Sequence, residues 1–233
     1  MIIITNWKMD PLTLNQAFNL LNFYKKLKYK NIWIAPPYVF LAILIKKYKN
    51  FVFGAQNVHY QIKGAYTGEI SVKMLKNIGC KFAIINHSER RKAGEDLKVA
   101  NQKIKICLKN KITPIVCFGE QHKINNLTAL KQLWEEEYKI LFQGINSFKK
   151  VKIVYEPSWA ISTEKSGPVP IELVNEFLNW IKSKVKTDIL YGGSVSYENI
   201  GDYLKLDLKG FLIGSQSLKL KNFKKIIEKT KKI

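Results

Sequence analysis

The chain repeats one pattern from end to end: a short run of apolar, β-favouring residues, then a helix-length amphipathic stretch. The strand-like runs are Ile2 to Thr5, Ile32 to Ala35, Phe51 to Ala55, Phe82 to Ile85, Thr113 to Cys117, Lys152 to Tyr155, Asp188 to Tyr191 and Phe211 to Ile213. Several are continuously apolar, as expected of parallel strands buried on both faces. Between them, Asp10-Pro11 reads as an N-cap and N1 proline opening a helix with Leu14, Ala17, Phe18 and Leu21 on one face. Ala100, Ile104 and Leu108 mark a second helix, and Pro170 opens a third with a stripe of Val174, Phe177, Leu178, Ile181 and Val185. About eight such units fit an α/β chain folded as a single-domain (β/α)8 barrel, for which about 250 residues is typical. A doubly wound open sheet also alternates strand and helix. It is disfavoured because no Gly-x-Gly-x-x-Gly follows the first strand and no linker divides residues 1–233.

The formal net charge of +21 raises the question of nucleic acid. The cations are nearly all lysines, scattered as in Lys25-Lys26, Lys46-Lys47, Lys149-Lys150 and Lys224-Lys225, with Arg90 and Arg91 the only arginines. Nucleic-acid sites favour arginine forks and interleaved aromatics, so no nucleic-acid partner is expected. A positive field that draws in a small anion remains. No apolar run approaches the roughly 20 residues of a membrane span. The start, Met1-Ile2-Ile3-Ile4, lacks a basic segment, so neither membrane insertion nor export is expected. Cys80, Cys107 and Cys117 have no CxxC spacing and sit in apolar stretches. They read as free thiols of a reducing cytoplasm, without a disulfide frame or a metal site.

A barrel of this kind builds its site at the C-terminal ends of its strands. There the chain has Asn6 and Lys8, then His87, Ser88 and Glu89, then Glu156 before Pro157. The last two strands end in Gly192-Gly193-Ser194 and Gly214-Ser215, small-residue turns with backbone amides free for phosphate. One His, one carboxylate and one Lys facing a common mouth specify acid–base chemistry on a small phosphorylated substrate.

The same residues carry a resemblance. Asn6-Trp7-Lys8-Met9, Gly54-Ala55-Gln56-Asn57, Gly64-Ala65-Tyr66-Thr67-Gly68-Glu69 and Asn86-His87-Ser88-Glu89-Arg90-Arg91 resemble the triosephosphate isomerase family. So do Cys117-Phe118-Gly119-Glu120, Tyr155-Glu156-Pro157-Ser158-Trp159-Ala160-Ile161 and Tyr191-Gly192-Gly193-Ser194-Val195, in family order along the whole chain. The resemblance implies a TIM barrel without cofactor or metal. It would interconvert D-glyceraldehyde 3-phosphate and dihydroxyacetone phosphate through an enediolate, in glycolysis and gluconeogenesis. Other readings are another phosphate-binding barrel isomerase, which would need different strand-end residues, or a non-catalytic basic barrel, which would lack a base or an electrophile.

The resemblance also assigns roles. Glu156 becomes the base, with desolvation expected to raise its pKa, although an arbitrary strand-end carboxylate is more often a surface group. His87 becomes the electrophile, a neutral imidazole at a helix N-terminus as this family itself exemplifies, although a lone histidine there is more often a packed core residue. Lys8, one lysine among many, becomes the group that attracts the substrate anion, and Asn6 fixes Lys8. Glu89 is the carboxylate near that lysine, either a structural ion pair or a catalytic group. Backbone N–H groups of Ser162, Ser194, Gly214 and Ser215 would grip the phosphate. The loop running from Gln56 to Glu69 would reach a second subunit, with Thr67 beside its Asn6 and Lys8, making a homodimer. Cys117 is read as packed near the site, and His59 and His122 as ordinary loop residues. Two departures stand out. The lid tip reads Ile161-Ser162-Thr163-Glu164 where the family has Ile-Gly-Thr-Gly, and the last loop has Gly214-Ser215 where it has paired glycines. Ser162 and Glu164 are therefore expected to stiffen the lid. The stretch from Glu156 to Ser194 also looks short, which points to a trimmed sixth helix.

Overall fold

The computed structural model describes residues 1–160 and 167–231. The strands are β1 (Ile2–Asn6), β2 (Ile32–Ala35), β3 (Val52–Ala55), β4 (Phe82–Ile85), β5 (Thr113–Phe118), β6 (Lys152–Tyr155), β7 (Asp188–Tyr191) and β8 (Gly210–Ile213). They form one closed parallel barrel in sequence order. The helices are α1 (Leu14–Lys26), α2 (Tyr38–Lys47), α3 (Val72–Ile78), α4 (Ser88–Lys92), α5 (Leu97–Lys109), α6 (Leu127–Leu141), α7 (Ile171–Lys184), α8 (Ile200–Tyr203) and α9 (Leu220–Thr230). Closure pairs Ile2 with Gly210 and Thr5 with Ile213. Gly210 is required there, because a Cβ on it would lie 2.1 Å from the Ile2 carbonyl oxygen.

Successive side chains of a strand point to opposite faces, and this parity divides the core in two. Ile4, Ala35, Phe82, Ile84, Ile115, Cys117, Val154, Leu190 and Leu212 fill the barrel interior. Their neighbours, including Ile3, Ala83, Ile85, Ile153 and Tyr155, pack outward against the helices. The expected stripe of α7 is buried throughout: Val174, Phe177, Leu178, Ile181 and, just past the helix, Val185. Phe177 stacks on Tyr155 at 4.0 Å and meets Trp134 of α6 edge-on at 5.1 Å. Tyr155 is thereby locked outward, which leaves the next residue, Glu156, to turn into the mouth.

The structure alters one local expectation. Asp10-Pro11 does not open α1; Thr13 caps it in a capping box with Gln16. The Thr13 hydroxyl accepts the Gln16 N–H and Gln16 Oε1 accepts the Thr13 N–H. Two otherwise unpaired donors are thus satisfied reciprocally, more than Asp10 could offer from three residues upstream. The helix after β6, α7, spans 14 residues, and a four-residue helical segment, α8, follows β7. Among the described residues no helix is long and apolar enough to cross a membrane.

One buried acid is costly to this fold. Glu137 of α6 has a buried oxygen, Oε2, with no hydrogen-bond partner among the described residues. Burial pushes its carboxyl up to about 7, more than Arg91 lowers it, and Glu120 adds to the rise. The folded state therefore binds this proton more tightly than the unfolded state does. Its contribution is full below the ordinary value of 4.5 and is lost as pH rises toward 7. Glu137→Gln is expected to raise unfolding stability at pH 8 by on the order of 1–3 kcal/mol, with little change near pH 4. Urea unfolding of both proteins at the two pH values checks this, and an equal difference at both contradicts it.

Candidate active site

The parity that fills the barrel also selects the residues of its mouth. Asn6, Asn86, Glu156, Gly192 and Gly214 each stand two positions past an inward core residue: Ile4, Ile84, Val154, Leu190 and Leu212. A cavity of about 280 Å³ opens there, lined by Asn6, Lys8, His87 and Glu156 together with Ser194, Gly214 and Ser215. The sequence-predicted residues of the described chain are thus brought together, apart from the loop residues Gln56 and Thr67 and the half-exposed Glu89 beside Lys8. Ser162, Thr163 and Glu164 lie outside the described residues.

Glu156 is 2 % exposed. Its Oε1 lies 2.9 Å from His87 Nε2, and its Oε2 accepts the Ser88 N–H at 2.9 Å. The His87 ring is oriented from its other side, where Nδ1 accepts the Glu89 N–H at 3.2 Å and so caps α4. With Nδ1 accepting the Glu89 N–H, Nε2 is the ring nitrogen turned toward Glu156 Oε1. The expected raised pKa of Glu156 is not what this arrangement produces. Burial acts to raise it, but His87, the Arg91 guanidinium and the Ser88 N–H together outweigh burial and hold the carboxyl well below the ordinary range. Glu156 is a stabilised carboxylate here.

Lys8 adopts a left-handed backbone, φ 54°, which a non-glycine residue holds only when its surroundings fix it. Two side chains do so: Asn6 Oδ1 accepts the Lys8 N–H at 3.1 Å, and Gln56 Nε2 donates to the Lys8 carbonyl at 2.7 Å. Gln56 therefore braces its own chain, turned inward from the long loop, while Thr67 is exposed on that loop. Lys8 Nζ meets Glu89 Oε1 at 2.5 Å, the ion pair among the two readings of Glu89. Cys117 is buried in the barrel interior, and burial, reinforced by the Glu156 charge, pushes its thiol far up, so it is no nucleophile. The described cysteines are free and buried, and no group of His, Cys, Asp and Glu among the described residues is placed to hold a metal ion.

Four positioning residues had no role assigned from the sequence. Arg91 is buried, and its guanidinium donates to the Gly119 carbonyl and, at 2.9 Å, to the carbonyl of Glu156 itself. Gly119 has φ +148°, and a Cβ there would lie 2.8 Å from Pro157 N, so glycine alone lets this loop press against the base's peptide. Glu120, fully buried, accepts from the indole nitrogens of Trp134 and Trp159 at 3.1 and 2.8 Å, and its carbonyl accepts the Ser158 N–H. It anchors the 3-10 turn Ser158–Ala160 that follows the base. Asn199 holds the phosphate-side turn: its Nδ2 donates to the Ser194 carbonyl and its Oδ1 accepts the Ser196 N–H, both at 2.8 Å. Ser194 sits there at φ 49°, again left-handed without being glycine. Arg91 and Glu120 stood inside the quoted motifs, yet only the fold shows which carbonyl or indole each one meets.

This constellation defines a class: a (β/α)8 barrel with a buried carboxylate, an imidazole and a lysine gathered at the mouth beside small-residue turns, the layout of a barrel enzyme for a small substrate. Comparison with known proteins makes it specific. Residues 1–230 match the family model of triosephosphate isomerase. Triosephosphate isomerase of Aquifex aeolicus (strain VF5) is 35 % identical over 242 residues, covering 97 % of this chain and 98 % of its own length. That of Mycoplasma mobile is 36 % identical, with the same 97 % and 98 % coverage. That of Mycoplasma capricolum subsp. capricolum is 38 % identical over 93 % of both chains. The chain belongs to the triosephosphate isomerase family.

Replacing Arg91 with Lys keeps a charge but loses the two-point hold on Gly119 and Glu156. The expected result is a kcat lower by about 10–100-fold, the usual consequence of a misplaced reacting group, with KM changed far less. Steady-state kinetics at saturating substrate checks this, and an unchanged kcat removes Arg91 from the account.

Proposed function

We infer that, in the interconversion of D-glyceraldehyde 3-phosphate and dihydroxyacetone phosphate that this isomerase catalyses, Glu156 is the base. It carries a proton between the substrate carbons C1 and C2. His87 Nε2–H donates to the carbonyl and enediolate oxygens, and the Lys8 ammonium stabilises the charge that develops on them. The observation that supports this most directly is the meeting of His87, Glu156 and Lys8 in one small cavity that the Ser194 and Gly214–Ser215 turns also line. The N–H groups of Ser194 and Ser215 have no acceptor among the described residues; as fixed dipoles they suit a phosphate without any proton transfer. Substrate takes over the donors now on Glu156. Its carboxylate then loses its stabilising partners inside a buried site and becomes basic enough for the transfer.

The active form we propose is a homodimer in the cytoplasm. Of the nine large apolar residues exposed among the described residues, seven, Met9, Leu12, Val39, Ile43, Ile62, Tyr66 and Met74, come from the first three strand–helix units. Exposed apolar surface concentrated in one part of a chain marks a binding face, and this part includes the loop that carries Thr67 and, through Gln56, braces the Lys8 turn. Free, buried cysteines suit a reducing compartment.

Glu156→Gln is expected to lower kcat by about 10²–10⁴-fold, the worth of a positioned base, while a phosphate-bearing competitive inhibitor still binds. A coupled NADH assay with glyceraldehyde 3-phosphate measures this, and near-normal turnover by the variant ends the assignment. Deleting Tyr60 to Tyr66 is expected to give a monomer of greatly reduced activity. Sedimentation velocity alongside the assay tests it, and an intact chain that is a fully active monomer refutes the dimer.

A further inference from the structure

The phosphate wall of the cavity contains a side chain to which no role has yet been given. Gln216 lines the cavity beside Gly214 and Ser215. It sits in the middle of a 3-10 turn, Ser215–Ser217, wound by the Ser217 N–H on the Gly214 carbonyl and the Leu218 N–H on the Ser215 carbonyl. Winding the turn this way leaves the Ser215 and Gln216 amides without acceptors among the described residues, at the end of β8 where the phosphate group is placed. The Gln216 carboxamide is oriented as well. Asn222, in the first turn of α9, donates its Nδ2 to Gln216 Oε1 at 3.0 Å. The carbonyl end, which would repel an anion, is thereby committed away from the site. The NH2 end is the part left for the cavity, and it has no acceptor among the described residues.

We propose that Gln216 donates a side-chain hydrogen bond from Nε2 to the phosphate of the substrate, held in that orientation by Asn222. This rests on the placement of the phosphate at the Ser194 and Gly214–Ser215 wall. The chemistry suits that end of the ligand. A carboxamide N–H is a neutral donor that does not titrate, so it recognises the phosphate without a charge that the reaction would have to overcome. It also lies away from the reacting carbons, so its energy is spent on binding. In a loop where Ser215 stands in place of a glycine, the added donor reinforces an anion grip otherwise made of backbone amides alone.

The test compares the parent with Gln216→Ala, Gln216→Glu and Asn222→Ala, measuring KM for glyceraldehyde 3-phosphate, kcat, and competitive inhibition by inorganic phosphate. Thermal unfolding of each variant confirms that it is folded. Gln216→Ala is expected to raise both KM and the phosphate inhibition constant about 5–20-fold, the size of one charge-assisted hydrogen bond at a partly exposed site, with a smaller loss in kcat. Gln216→Glu, which points a carboxylate at the dianion, is expected to raise both further. Asn222→Ala should fall between the parent and Gln216→Ala, because it frees the carboxamide without removing it. Parent-like KM and inhibition constants in all three variants overturn the role of Gln216 while leaving the phosphate wall in place. Failure of inorganic phosphate to compete with substrate in the parent overturns both, because it removes the phosphate from that wall.

Discussion

A closed parallel sheet admits only every second residue of each strand to its interior, and the rest of this molecule follows from that parity. Ile4, Ile84, Val154, Leu190 and Leu212 meet inside the barrel. The residues two steps further on therefore meet at its mouth, on strand ends that the ladder holds in fixed register. The site is precise because it stands on the most rigid part of the fold. The outward residues are equally constrained. Tyr155, stacked on Phe177 and bonded to Glu120, can turn only one way, and Glu156 takes the opposite side.

On that frame the base is held by donors that oppose its activity. His87 and Ser88 bond both carboxylate oxygens of Glu156, and Arg91 fixes the peptide behind it. Burying a carboxylate is costly unless it is hydrogen-bonded or paired, and these groups meet that cost in the absence of substrate. His87 is held from both sides: its Nδ1 accepts the Glu89 N–H, and its Nε2 faces Glu156 Oε1.

Much of this was legible in the sequence. Eight strand-like runs, read from apolar continuity alone, match the barrel strands to within a residue at either end. The strand-end rule found Asn6, Lys8, His87 and Glu156 before any relative was considered. What it missed are groups whose meaning depends on a distant partner. Arg91 reads as one more cation beside Arg90 until its guanidinium is seen against the carbonyls of Gly119 and Glu156. Asn199 and Gln216 lie in ordinary polar turns, and only the fold brings them to the lining of the cavity. The cap of α1 went to Thr13 and not Asp10 because two reciprocal hydrogen bonds outweigh one. That donors outweigh burial at Glu156 in the absence of substrate could not be read from the sequence, because His87, Ser88 and Arg91 come from another part of the chain.

The central claim is that Glu156 is a stabilised carboxylate in the free enzyme and gains proton affinity when ligand replaces its donors. Difference infrared spectroscopy of the carboxyl band, assigned with Glu156→Gln and recorded with and without a phosphate-bearing analogue of the enediolate, tests it directly. The account predicts an ionised Glu156 in the free enzyme across the whole range from pH 5 to 8. It predicts a protonated carboxyl band appearing at neutral pH when the analogue binds. A Glu156 that is already protonated in the free enzyme at neutral pH, or that stays ionised in the complex, would contradict it.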